Sequence, residues 1–248
     1  MLELPFDPIK RAEYVERVII KNNERKYYRF RPAPYYGGIS TCDSIGCCFL
    51  CCYCWNYKRN LNPENFGRFY SPEEVTFRLL DIAKRKGFQY VRLTGAEPVL
   101  GKRTFSHFLD IANIISNENP NLIFILETNG LILGFYPDLI EKINLENLSI
   151  RISIKGWDEE SFEKISGARR EYFIYPLVAL KNLRERGLDA WCAVMEDLFS
   201  EKEIPILKEK LRKLNLDIEI ERETLESYPF CLENIKKRKV SLYGVQNL

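Results

Sequence analysis

Histidine is almost missing from this chain: its 248 residues include one, His107. Catalysis by a Ser–His or Cys–His pair needs an imidazole beside the nucleophile. His107 stands alone in a stretch that reads as helix, so a packed or surface role is expected. Charge of one sign is missing too. Lys and Arg number 37 against 35 Asp and Glu, which suits neither a strongly basic nucleic-acid protein nor an acidic solvating chain. The basic stretches "RKYYRFR" and "KKRK" read as solvated faces and leave nucleic-acid contact open. No apolar run approaches the roughly 18 residues of a membrane helix, and "MLELPFDPIKRAEY" lacks the apolar segment of a secretory signal. A cytoplasmic protein with reduced thiols is expected. Two glutamines among many Lys, Glu and Ile point toward a thermophilic source. Linkers rich in Gly, Ser or Pro are absent, so residues 1–248 are expected to form one domain.

What is present is alternation. Residues 8–25 read as a helix, and a short strand is expected around Tyr36–Thr41. "SPEEVTFRLLDIAKRKG" carries a Ser71 cap, a Glu74 capping box and a terminal Gly87. Strand-like "QYVRLT", "NLIFILET", "NLSIRISIK", "LDAWCAV" and "DIEIERE" are separated by helical stretches near 103–117, 136–144, 158–186 (broken at Gly167) and 200–214. About six strand–helix units predict a parallel sheet wrapped by helices. They fall short of a closed eight-fold barrel, leaving a partial (β/α)6 barrel or a doubly wound sheet. The core is expected over 36–224, with 225–248 as a C-terminal extension of unassigned position.

One strand separates these options. Along 148–155, Ile150, Ile152 and Ile154 share one face while Arg151, Ser153 and Lys155 share the other. Helices on both faces would ask for two apolar faces. One polar face favours the partial barrel, with a polar cavity in its lumen; an edge strand with one wet face is the alternative.

Six of the eight cysteines crowd into "CDSIGCCFLCCYC", Cys42 to Cys54. Structural zinc would take four ligands from two knuckles, and no second pair lies elsewhere. Small thiols that merely pack a loop are a second reading. A Cys–x3–Cys–x2–Cys triplet is the third, and one register satisfies it: Cys47, Cys51 and Cys54. Starting at Cys48 would end on Trp55, and starting at Cys42 meets Gly46.

That spacing, with Tyr53 as the aromatic residue before the last cysteine, resembles the radical S-adenosylmethionine (SAM) superfamily. "LTGAEPVL" resembles the superfamily's Gly-Gly-Glu-Pro segment, with Ala96 at the second glycine. "ETNG" (Glu127–Gly130) and "ISIKGWDEESFEKISGA" resemble segments of the branch containing the pyruvate formate-lyase activating enzyme. The resemblance implies a partial barrel and a 4Fe–4S cluster on Cys47, Cys51 and Cys54, with one iron left open for SAM. It implies SAM contacts from Tyr53, Gly95, Ala96, Glu97, Pro98, Thr128, Ser153 and Lys155, and an electron donor such as ferredoxin or flavodoxin. Cys48 and Cys52 are expected to pack, and Cys42, Cys192 and Cys231 to be structural. Ser153 and Glu127 replace aspartates that hold a monovalent cation in activating enzymes, so that cation is not expected. The implied chemistry is reductive cleavage of SAM to a 5′-deoxyadenosyl radical that abstracts hydrogen. The target is a glycine of a protein substrate, or alternatively a small molecule or RNA as in the deazaguanine-forming branch. A non-catalytic Fe–S or zinc protein is the rival of a different class.

Overall fold

The computed structural model describes residues 3–243. Helix α1 (Pro8–Ile19) starts under the Asp7 carboxylate, which accepts from the amides of Ile9 and Lys10. The helix read over 8–25 stops early. Ile20–Lys21 (β1) turns through Asn22, at φ 54°, into Glu24–Ala33 (β2). Val18–Ile20 is a β-branched run that suits a strand, and asparagine tolerates the left-handed turn. The basic aromatic stretch is therefore mostly strand. β3 (Ile39–Ser44) begins later than Tyr36 because Tyr36, Gly37 and Gly38 all have positive φ (55°, 76° and 127°), which extended chain cannot adopt.

After the cysteine loop come α2 (Tyr57–Leu61), β4 (Arg68–Tyr70) and α3 (Pro72–Lys86). The last begins in the expected Ser71–Glu74 capping box and ends at Gly87, φ 68°. The chain continues through β5 (Tyr90–Thr94), α4 (Lys102–Glu118), β6 (Ile123–Thr128), α5 (Leu131–Phe135) and β7 (Leu148–Ser153). It ends with α6 (Glu159–Ser166), α7 (Ile174–Glu185), β8 (Asp189–Met195), α8 (Glu203–Lys213), β9 (Ile220–Glu223) and α9 (Pro229–Lys237). The helix expected near 136–144 is instead α5 followed by a 3-10 segment, Pro137–Lys142. Pro137 bars helical ψ at Tyr136, which stands at ψ 76°. Gly134 lets α5 press on α7 so closely that a Cβ would overlap the Tyr175 carbonyl.

The sheet runs β1-β2-β3-β5-β6-β7-β8-β9, with β4 on the free side of β2. From β3 to β9 every pairing is parallel, giving the six expected strands. The antiparallel β1–β2–β4 group is an addition that the alternation did not announce. Among the described residues β3 and β9 do not pair, so the barrel is partial and open.

The outer face carries Val91, Leu93, Leu126, Ile150, Ile152 and Val194 into the main core with the helices. The inner face is layered. Ala33, Ile39 and Ile125, with Tyr90, Ile123 and Trp191 against them, make an apolar floor. Above it lies a charged tier in which Arg92 pairs with Glu127 at 2.6 Å and Arg151 pairs with Glu221 and Glu223 at 3.0 and 2.9 Å. These pairs neutralise charge that would otherwise be costly to bury. The tier carries the cavity above it. No described helix is long and apolar enough to cross a membrane.

Candidate active site

Four segments reach one mouth because parallel strands end on one side. The cysteine loop follows β3, Gly95–Pro98 follows β5, Thr128–Gly130 closes β6, and Ser153–Lys155 closes β7. They surround a cavity of about 230 Å³ lined by Cys47, Cys51, Tyr53, Cys54, Gly95, Ala96, Glu97, Thr128, Ser153 and Lys155. Pro98 is not part of the lining. Of the crowded cysteines, Cys42, Cys48 and Cys52 are fully buried and do not reach the cavity. Cys192 and Cys231 are likewise buried elsewhere, and all eight thiols are free. Arg151, Ser153 and Lys155 all face the cavity, the side their alternation implied.

Gly95 and Ala96 divide the work of the turn. Gly95 has φ 87°, and a Cβ there would lie 2.9 Å from that of Asp43. Ala96 is not among the residues with positive φ, so alanine at the superfamily's second glycine strains nothing. Asn56 Nδ2 donates to the Gly95 carbonyl at 2.8 Å, and Ser44 Oγ donates to that of Thr94 at 2.7 Å. Beneath, the fully buried Asp43 is held by Arg29 at 2.6 Å and Arg31 at 2.9 Å.

Glu97 ties the loops together. Its backbone N–H donates to the Gly46 carbonyl at 3.0 Å, and Arg25 Nη2 donates to its carbonyl at 2.7 Å. Its carboxylate accepts from Thr128 Oγ1 at 2.6 Å, the Asn129 amide at 2.7 Å and the Val99 amide at 2.9 Å. Burial pushes its pKa up to about 7, although those donors pull the other way. Lys155 Nζ donates to Ser153 Oγ at 2.5 Å and stands 5.3 Å from the Tyr53 ring centre.

The thiols are prepared unequally. Cys47 titrates below its ordinary value because the Cys48 thiol hydrogen-bonds to it, and the Phe49 amide points at its sulfur at 3.3 Å. Burial raises Cys51 to about 11 and raises Cys54 as well. Asn60 Nδ2 lies 3.6 Å from the Cys54 sulfur, and Asn129 Nδ2 lies 3.1 Å from that of Cys48. Among the described residues no three Cys, His, Asp or Glu gather around a single ion position. An iron–sulfur cubane carries its thiolates on separate irons. Three cysteines spread around a cavity therefore fit such a cluster better than one zinc ion.

The radical SAM superfamily model matches residues 43–226. The chain belongs to the radical SAM superfamily. It is an enzyme, and its cofactors are a 4Fe–4S cluster and SAM. A probable GTP 3′,8-cyclase of Pyrococcus horikoshii is 30% identical over 121 residues, covering 48% of this chain and 35% of that protein. The GTP 3′,8-cyclase of Haemophilus influenzae strain PittEE is 29% identical over 159 residues, covering 63% of this chain and 44% of that protein. The matches thus span about a third to less than half of these relatives' length. Among solved structures, a spore photoproduct lyase variant with bound AdoMet and a dinucleoside spore photoproduct matches 89% of this chain and 65% of its own. Its TM-score is 0.59 at 12% identity. Streptococcus suis SuiB matches 82% of this chain and 47% of its own, with TM-score 0.57 at 14% identity. At such identities these structures speak for the radical SAM fold alone. The relatives named here are cyclases, so the activating-enzyme branch gains no support from them.

Several cavity residues were not singled out from sequence. Asn129 sits inside the quoted "ETNG", and Arg151 shares the polar face of its strand, so both had a signal. Trp55 and Thr224–Glu226 also line the cavity. The latter come from a segment with no motif.

Proposed function

We propose that Cys47, Cys51 and Cys54 hold the cluster, while Tyr53, Gly95–Pro98, Thr128, Ser153 and Lys155 form the SAM site. The observation that carries this reading is a selection: three of six crowded thiols line the cavity, and they are the Cys–x3–Cys–x2–Cys triplet. When bound, the cluster supplies the electron that splits SAM into methionine and a 5′-deoxyadenosyl radical. Lys155, without a carboxylate partner among the described residues, offers its ammonium to the SAM carboxylate. Glu97 keeps acceptor capacity for the SAM ammonium, whose charge would offset the buried carboxylate. Pro98 acts from behind by shaping the turn.

A second chamber of about 710 Å³ shares Tyr35, Trp55, Thr94, Glu127 and Arg151 with the first. Its walls also include Arg29, Arg31, Tyr36 and Tyr228, with Glu221, Glu223 and Glu226 among its acidic residues. Its charged and aromatic lining favours a small polar substrate. The cyclase relatives, which by name act on a nucleotide, favour the same reading. An electron donor such as ferredoxin or flavodoxin would feed the site. Anaerobically reconstituted protein should hold about four irons and release 5′-deoxyadenosine when given SAM and dithionite. A loaded cluster that leaves SAM intact would contradict the enzymatic reading.

A further inference from the structure

Two arginines grip the cysteine loop from outside the segment that the superfamily model matches. Arg11, on α1, is 8% exposed. Its Nε donates to the Cys47 carbonyl at 3.1 Å and its Nη2 to that of Asn60 at 2.5 Å. Asn60 in turn directs its side-chain amide at the Cys54 sulfur. Arg238, at the end of α9, donates to the Leu50 carbonyl at 2.5 Å and to that of Ile165 at 3.1 Å. The loop is thus held beside Cys47 and beside Cys51, by the two ends of the chain.

Elsewhere in this interior Arg92 has Glu127 and Arg151 has Glu221 and Glu223, while the fully buried Arg25, met by the Ile45 and Glu97 carbonyls, has no carboxylate partner among the described residues. Arg11 has none among the described residues. Arg238 likewise has no carboxylate partner among the described residues, and its Nη2 meets the loop at Leu50, next to Cys51. Arg11 meets the loop at the Cys47 carbonyl, so a cluster held by Cys47 would set an anion beside this buried cation. A cluster held by three thiolates is an anion, and it gains one more negative charge on reduction.

We propose that Arg11 and Arg238 are counter-charges of the iron–sulfur cluster, raising its reduction potential as well as fixing the loop. The inference rests on the assignment of Cys47, Cys51 and Cys54 as ligands. Cluster potential responds to local charge and burial, and a fixed cation acts more strongly where the dielectric is low. Arg11, the more buried of the two, should therefore have the larger effect. Both are positioning residues, and neither lines either chamber.

The test is an EPR-monitored redox titration of anaerobically reconstituted protein without SAM, using dithionite as the one-electron source. Arg11→Gln should move the midpoint to more negative potential at unchanged iron content. Arg238→Gln should move it less in the same direction, and Arg11→Lys should stay near wild type. Cluster loading should also raise the Tm of wild type more than that of Arg11→Gln. Unchanged potentials, with the apo and loaded forms destabilised equally, would mean a structural staple only and overturn the proposal. If Arg11→Gln does not fold, Arg238→Gln decides by the same midpoint criterion. Failure of the ligand assignment would show separately, as wild-type iron content that does not depend on the three cysteines.

Discussion

The Glu97 carboxylate accepts a 2.6 Å hydrogen bond from the Thr128 hydroxyl, joining the turn after β5 to the turn after β6. With the Asn129 and Val99 amides also bound to it, Glu97 frames the cavity before any ligand arrives. Glu97→Gln places an amide N–H₂ against at least one of these donors. The expected cost is about 1–3 kcal/mol of stability. Loss of the charge proposed to face the SAM ammonium should weaken SAM binding roughly tenfold or more. Denaturant titration and calorimetric SAM titration check the two effects, and unchanged SAM affinity would remove Glu97 from the SAM site.

The turn itself makes a paired expectation. Gly95→Ala forces an alanine to φ 87° and onto Asp43, costing about 1–2 kcal/mol for the backbone and a further ~1–3 for the overlap. Ala96→Gly should cost less than about 1 kcal/mol and leave SAM affinity as it is. If restoring the superfamily's glycine at 96 sharply tightened SAM binding, the division of roles between these two residues would be wrong.

Acid should expose His107. The side chain is fully buried, its Nδ1 lies 2.9 Å from the Asn23 carbonyl, and its Nε2 has no partner. Burial lowers its pKa to about 4. The unfolded chain takes up this proton near pH 6.5 while the folded chain resists until about 4, so the unfolded state binds more protons in that window. Stability should therefore fall as pH drops from 6.5 toward 4, by about 3 kcal/mol from this residue. Urea midpoints across that range should slope more steeply for wild type than for His107→Gln. Parallel slopes would show that His107 does not titrate as its burial requires.

Much of this molecule was legible because short-range rules and long-range packing agreed. The Ser71–Glu74 box and Gly87 bounded α3, and the two faces of 148–155 placed Ser153 and Lys155 on the cavity. Legibility failed where the chain reverses. The helix read over 8–25 has its last apolar positions at Ile19 and Ile20, and Asn22 then folds the chain into a hairpin. The pairing of Arg25–Tyr27 with β4 is also non-local. Within the site, motifs identified the groups at strand ends but not those acting through the backbone. Arg11 and Arg238 reach carbonyls 36 and 188 residues away, and no local pattern encodes such a contact.

The central claim is that register selects the ligands from the crowded loop. Iron content and the reduced-cluster EPR signal of five single Cys→Ala variants, reconstituted in parallel, test it most directly. Cys47→Ala, Cys51→Ala and Cys54→Ala should each lose the four-iron cluster and its SAM-dependent signal change. Cys48→Ala and Cys52→Ala should keep both, at some cost in stability from the small cavity left behind. A cluster that survives loss of Cys47, Cys51 or Cys54 but depends on Cys48 or Cys52 would contradict the account.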